Sequence, residues 1–181
     1  MRPLEEVESR SLRWVDGGGL DSQLRAGDQV VATLAWAKRW SSLATAQSAG
    51  GRWTLKRAGF LRPQVTIRDE GSDTNLAVVS MSGRGDGSLT FADGRSYRIR
   101  GSGVRHPGLT VFDARGRTLL VLALDTGGKN SEASVEFEPS EPESAGKLSL
   151  LAIISWYLAL LMSRYDYESG DITGALVATW S

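Results

Sequence analysis

Over residues 12–138 apolar positions alternate with polar ones in short segments punctuated by glycine, and almost no stretch keeps a 3.6-residue period. Alternation is what a strand shows when it buries one face. It predicts eleven strands, over residues 12–16, 29–37, 42–48, 52–57, 64–69, 74–81, 87–92, 95–100, 108–113, 117–124 and 133–138. Ala92-Asp93-Gly94-Arg95 reads as a tight hairpin, because glycine accepts the positive φ that such a turn requires. Residues 113–117 read the same way and residues 83–87 as a looser turn, so neighbouring strands form an antiparallel meander.

The pattern changes at Lys147. Residues 148–163 are sixteen in succession without a charge, thirteen of them apolar or aromatic and three serine, held between Lys147 and Arg164. A helix is expected over residues 147–167. Its uncharged part spans about 24 Å at ~1.5 Å per residue, short of the ~30 Å of a bilayer's hydrocarbon. On a helical wheel Ser149, Ala152, Ser155, Ala159 and Ser163 fall in one 120° arc, shared with Leu148 and Trp156. Bulky residues fill the rest. A helix with no polar face must lie inside lipid or protein, and its length favours protein, although Ser155, Ala159 and Ser163 also spell the small-xxx-small spacing of membrane helix pairs. The glutamate-rich residues 132–143 read as a solvated loop feeding this helix, and residues 171–180 as a last strand.

With 181 residues, one domain over residues 12–181 behind an extension at residues 1–11 is expected, with no linker or repeat to divide it. Lys plus Arg and Asp plus Glu each number 21, so no bulk positive charge draws the chain to nucleic acid, and none is expected as a partner. There is no cysteine, which excludes disulfides, thiolate metal sites and cysteine nucleophiles; one histidine, His106, excludes His-rich zinc sites. No metal, cofactor or catalytic residue is expected. The first ten residues, MRPLEEVESR, hold no apolar run, so a cytoplasmic protein is expected, peripheral to a membrane if it binds lipid.

The strand meander and its terminal apolar helix, with Trp53-Thr54-Leu55-Lys56-Arg57, Val65-Thr66-Ile67-Arg68-Asp69, the hairpin at residues 91–97 and the segment 148–167, resemble the tubby C-terminal-like barrel of tubby, LURP-one-related and phospholipid scramblase proteins. The resemblance covers roughly residues 12–181. It implies a mainly β fold: a closed antiparallel barrel of about twelve strands enclosing a central hydrophobic C-terminal helix. There is no proline-rich N-terminal region, cysteine cluster or calcium loop of the scramblase kind. Binding of phosphoinositides through basic side chains on a strand is what the tubby likeness implies, with Lys56 as the counterpart.

The residues themselves point the same way. Between Gln29 and Arg68 no acidic residue occurs, while Lys38, Arg39, Arg52, Lys56, Arg57, Arg62 and Arg68 lie among Trp36, Trp40, Trp53 and Phe60. Lys38, Arg39, Arg52, Lys56 and Arg57 are the candidate anion-binding residues, for a phosphorylated lipid headgroup at a membrane surface. Alternation puts Arg52 and Lys56 outside and Trp53, Leu55 and Arg57 inside. A solvated basic face balanced by residues 132–143 is the plainer alternative, and with it a protein-interaction or scaffold module without a ligand. A scramblase-like transporter or an enzyme using acidic residues such as Glu136 with Glu138, or Asp166 with Glu168, stands third. The six tryptophans are expected to be barrel filler. Arg84-Gly85-Asp86 reads as a turn, residues 101–103 do not open a dinucleotide loop, and His106 has no visible catalytic partner.

Overall fold

The computed structural model describes residues 1, 11–59, 64–81, 86–102, 107–125, 132–138 and 145–169, with the helix side chains described over residues 147–163. Twelve strands precede one helix: β1 (Ser11–Gly18), β2 (Asp21–Ala26), β3 (Gln29–Trp36), β4 (Ala44–Ser48), β5 (Gly51–Ala58), β6 (Gln64–Asp69), β7 (Ala77–Met81), β8 (Gly87–Phe91), β9 (Ser96–Ser102), β10 (Gly108–Phe112), β11 (Thr118–Asp125), β12 (Glu132–Phe137) and α1 (Ala145–Ser169). Each strand pairs antiparallel with the next, and β1 pairs with β12 through Leu12 opposite Val135 and Trp14 opposite Ala133. That last pairing closes the barrel and leaves the sheet no free edge. Arg13 spans the seam, donating to Asp125 at 2.9 Å and Glu132 at 3.0 Å on the outer surface.

Three expectations are corrected. β2 is a strand that alternation missed: its inward residues Ser22, Leu24 and Ala26 include only one large apolar side chain. The predicted final strand at residues 171–180 lies outside the described residues; β2 supplies the twelfth strand. Residues 132–137 are β12, as the strand predicted over residues 133–138 has it and against the reading of residues 132–143 as loop, since Ala133 and Val135 turn inward while Ser134 and Glu136 face water. The helix also runs two residues further at each end than residues 147–167.

Alternation fails where a bulge intrudes. Val31 and Ala32 are both buried because pairing jumps from Arg25–Val30 to Leu24–Ala32. Leu119 and Leu120 are both buried for the same reason, with Phe112–Thr118 followed by Val111–Leu120. An extra residue in one strand shifts the phase of its pleat by one, so two neighbours can face one side.

α1 threads the barrel. Leu150 through Met162 are all buried, and the helix comes nearest β3, β4 and β5 on one side and β10 and β11 on the other, nearly opposite arcs of the strand order. Ala32, Ala44 and Ala46 supply short inward side chains on the first arc. Where the wall lies further away, aromatics fill the space: Trp14 of β1 stacks on Trp156 at 5.6 Å with planes 9° apart. On the near arc too, Trp36 of β3 stacks on Tyr157 at 5.0 Å. The apolar helix is thus surrounded by its own sheet, and no helix among the described residues is long and apolar enough to cross a membrane. The indole N–H groups of Trp14 and Trp156 and the Ser155 hydroxyl find no hydrogen-bond partner among the described residues, a cost that the buried aromatic area offsets.

Candidate functional site

Strict alternation of direction divides the connections between two rims. β12 ends, and α1 begins, at the rim that carries the turns at residues 27–28, 49–50, 92–95 and 113–117, called here the lower rim. α1 runs toward the upper rim, where residues 37–43 join β3 to β4 and residues 19–20 join β1 to β2.

The lower rim also carries the connection at residues 70–76, and two of its turns, 92–95 and 113–117, are internally satisfied. Asp113 is buried; its Oδ1 accepts the amides of Arg115 at 2.9 Å and Arg117 at 2.8 Å, and its Oδ2 accepts the Arg117 guanidinium at 2.7 Å. Burial pushes this carboxyl up, but those donors outweigh burial and hold it below the usual carboxylate range. Asp93 repeats the device in the 92–95 hairpin, where hydrogen bonds from the Arg95 side chain and amide lower its pKa. Arg52 belongs to this rim too, at the start of β5, with Glu70 3.5 Å away.

The upper rim is different in chemistry. Residues 37–43 carry Lys38, Arg39 and Trp40, all exposed, and Trp40 is 79% exposed. The loop is nevertheless tied down. Ala37 N–H donates to Leu43 O at 2.9 Å, Ser41 N–H to Lys38 O at 3.1 Å, and Leu43 N–H to the Ser41 hydroxyl at 3.0 Å. From within the barrel the Tyr157 hydroxyl donates to Ser42 O at 2.5 Å. Since Trp36 pairs with Ala44 and Ala44 with Leu55, the end of β5 lies beside this loop, and the Ser42 hydroxyl reaches Arg57 O at 3.5 Å. Lys56 is exposed on the outer face, opposite Thr66, whereas Arg57 is half-buried on the inward face that Trp53 and Leu55 begin.

Four of the five predicted residues, Lys38, Arg39, Lys56 and Arg57, therefore gather at one rim. Arg52 does not. It faces outward like Lys56, as alternation requires, but four residues of strand at ~3.3 Å each put it about 13 Å away. Lys38 and Lys56 make no ion pair among the described residues. Arg62, Phe60, His106, Arg84, Gly85 and Trp180 lie outside the described residues, as do the side chains of Asp166 and Glu168.

Trp40 corrects the expectation that the tryptophans are filler: Trp14, Trp36, Trp53 and Trp156 are buried, but Trp40 stands in water. The sequence did carry a signal, since Trp40 follows two cations and precedes two serines, off any alternating run. A second feature went unread. Arg98 and Arg100 of β9 both lie over the Phe112 ring, at 5.7 and 5.8 Å, so two guanidinium groups cover an aromatic ring on the outer wall. Glu136 and Glu138 are exposed on the outside of the barrel. Among the described residues no cluster of His, Asp and Glu could hold a metal ion.

No family model, curated protein or solved structure matches the chain.

Proposed function

We propose that this chain is a non-enzymatic, tubby-like barrel that binds the headgroups of anionic phospholipids through its upper rim, as a cytoplasmic protein peripheral to a membrane. The observation that carries the reading is the gathering of Lys38, Arg39, Lys56 and Arg57 about one rim, while at the other rim Asp93 and Asp113 are each satisfied by an arginine of their own turn. The basic patch is local, formed by the 37–43 loop and the end of β5, and its positive potential is what a negatively charged surface can meet. The twelve-strand closed barrel threaded by an apolar helix agrees with what the tubby resemblance implies. The two strand-borne cations act differently: Lys56 projects from the outer wall, and Arg57 guards the mouth.

Sedimentation with vesicles containing phosphatidylserine or phosphatidylinositol bisphosphate tests the reading. Binding is expected at low salt, weakening as salt screens the charges. Each basic residue near an anionic surface contributes about 1 kcal/mol, so Lys38→Gln or Lys56→Gln should weaken binding about fivefold, and Arg52→Gln should not. No binding at low salt would leave the scaffold reading in possession.

A further inference from the structure

The geometry points to Trp40 as an interfacial anchor that enters the headgroup layer and stands the barrel end-on, upper rim toward the membrane. The inference rests on the lipid-binding reading above and adds a residue and an orientation to it. Apart from the terminal Met1, Trp40 is the one large apolar side chain exposed among the described residues. Leaving an indole in water is costly in a chain that has buried four others, and the loop is not a slack segment that could fold it away. Three backbone and hydroxyl hydrogen bonds close residues 37–43 on themselves, and Tyr157 holds Ser42 from inside the barrel. The side chain is presented by a braced scaffold, so little ordering remains to be done on binding.

The surroundings select the partner. A protein-binding hot spot is an apolar cluster that packs into a pocket and excludes water around itself. Among the described residues no other exposed large apolar side chain accompanies Trp40 in its loop, and its neighbours in sequence are Lys38, Arg39, Ser41 and Ser42. One amphipathic ring beside two cations and two hydroxyls matches instead the layered chemistry of a bilayer surface, where the ring sits at headgroup depth and the cations meet phosphate. Because α1 points out of the same rim, the barrel axis would stand steeply to the membrane, leaving the lower rim and Arg52 facing away.

The test uses the full chain and vesicles of phosphatidylcholine with phosphatidylserine, with and without brominated acyl chains that quench nearby indoles. Trp14, Trp36, Trp53 and Trp156 are shielded by the barrel, so the difference between the wild type and Trp40→Phe isolates Trp40. Quenching is expected in the wild type and should largely vanish in Trp40→Phe. Trp40→Ser should bind on the order of tenfold more weakly, as loss of a partly buried large aromatic group requires. Its thermal stability should match the wild type, since the side chain stands largely in water. Salt-sensitive vesicle binding that survives Trp40→Ser undiminished, with no quenching, would overturn the anchor and leave the headgroup reading standing. Absence of vesicle binding by the wild type would overturn both.

Discussion

The two rims of one barrel show what the same strands can be made to do at opposite ends. At the lower rim, turns of a few residues place an aspartate against its own arginine, so Asp93 with Arg95 and Asp113 with Arg117 cancel their charges locally. At the upper rim the 37–43 loop keeps its cations and an indole in water while its backbone is braced from the core. Charge paired within a turn stabilises that turn, whereas Lys38 of the loop makes no ion pair among the described residues. A net charge of zero conceals this division, because the sum is indifferent to where along a strand each sign lies.

The largest expected effect tests the core on which both rims depend. Trp156→Ala removes a fully buried ring stacked on Trp14 and should cost about 3–5 kcal/mol in urea unfolding. A loss below roughly 1 kcal/mol would mean that the barrel holds its shape without its helix packing. Ala159→Leu adds volume at a residue 1% exposed and should cost about 1–3 kcal/mol; an unchanged melting temperature would count against enclosure of α1.

Tyr157→Phe separates the rims. It deletes the hydrogen bond to Ser42 O, at a cost of about 1 kcal/mol, and amide exchange should quicken in residues 37–43 while residues 113–117 stay protected. Equal quickening at both would show that the loop is not braced individually. Acid should act in the opposite place. The folded pKa of Asp113 lies below its unfolded value, near 3.9 for an aspartate, so its contribution is complete above about pH 4 and fades as pH falls through the folded value. The opening free energy of residues 113–117, read from amide exchange after correction for its intrinsic pH dependence, should therefore fall in acid in the wild type but stay constant in Asp113→Asn, with residues 37–43 indifferent in both.

Legibility in the sequence followed the range of the interactions involved. The helix announced itself because sixteen uncharged residues admit few environments, and hairpins such as that at residues 92–95 are fixed within four residues. β2 escaped because Ser22 and Ala26 are small: the barrel fills its interior with Trp14 from the next strand, and no local pattern records that exchange. Closure could come only from resemblance, since Leu12 and Val135 meet across the whole length of the wall. At the site, alternation correctly put Arg52 and Lys56 on one face of β5 and Arg57 on the other. It could not say that Arg52 and Lys56 belong to opposite rims, because face is a matter of parity and rim a matter of position along the strand. Residue type groups Trp40 with the core tryptophans, whereas its place in a loop between two strands is the better guide.

The order of elements has a consequence for biogenesis. α1 is the last described element of the chain, yet it occupies the middle of the finished molecule. Through most of translation the growing meander has an unfilled apolar concavity and two unsatisfied borders, and its first and last strands cannot meet until β12 has left the ribosome. Wall and plug must then assemble together, late and through contacts distant in sequence, which makes for slow folding and a long window in which nascent chains can stick to one another.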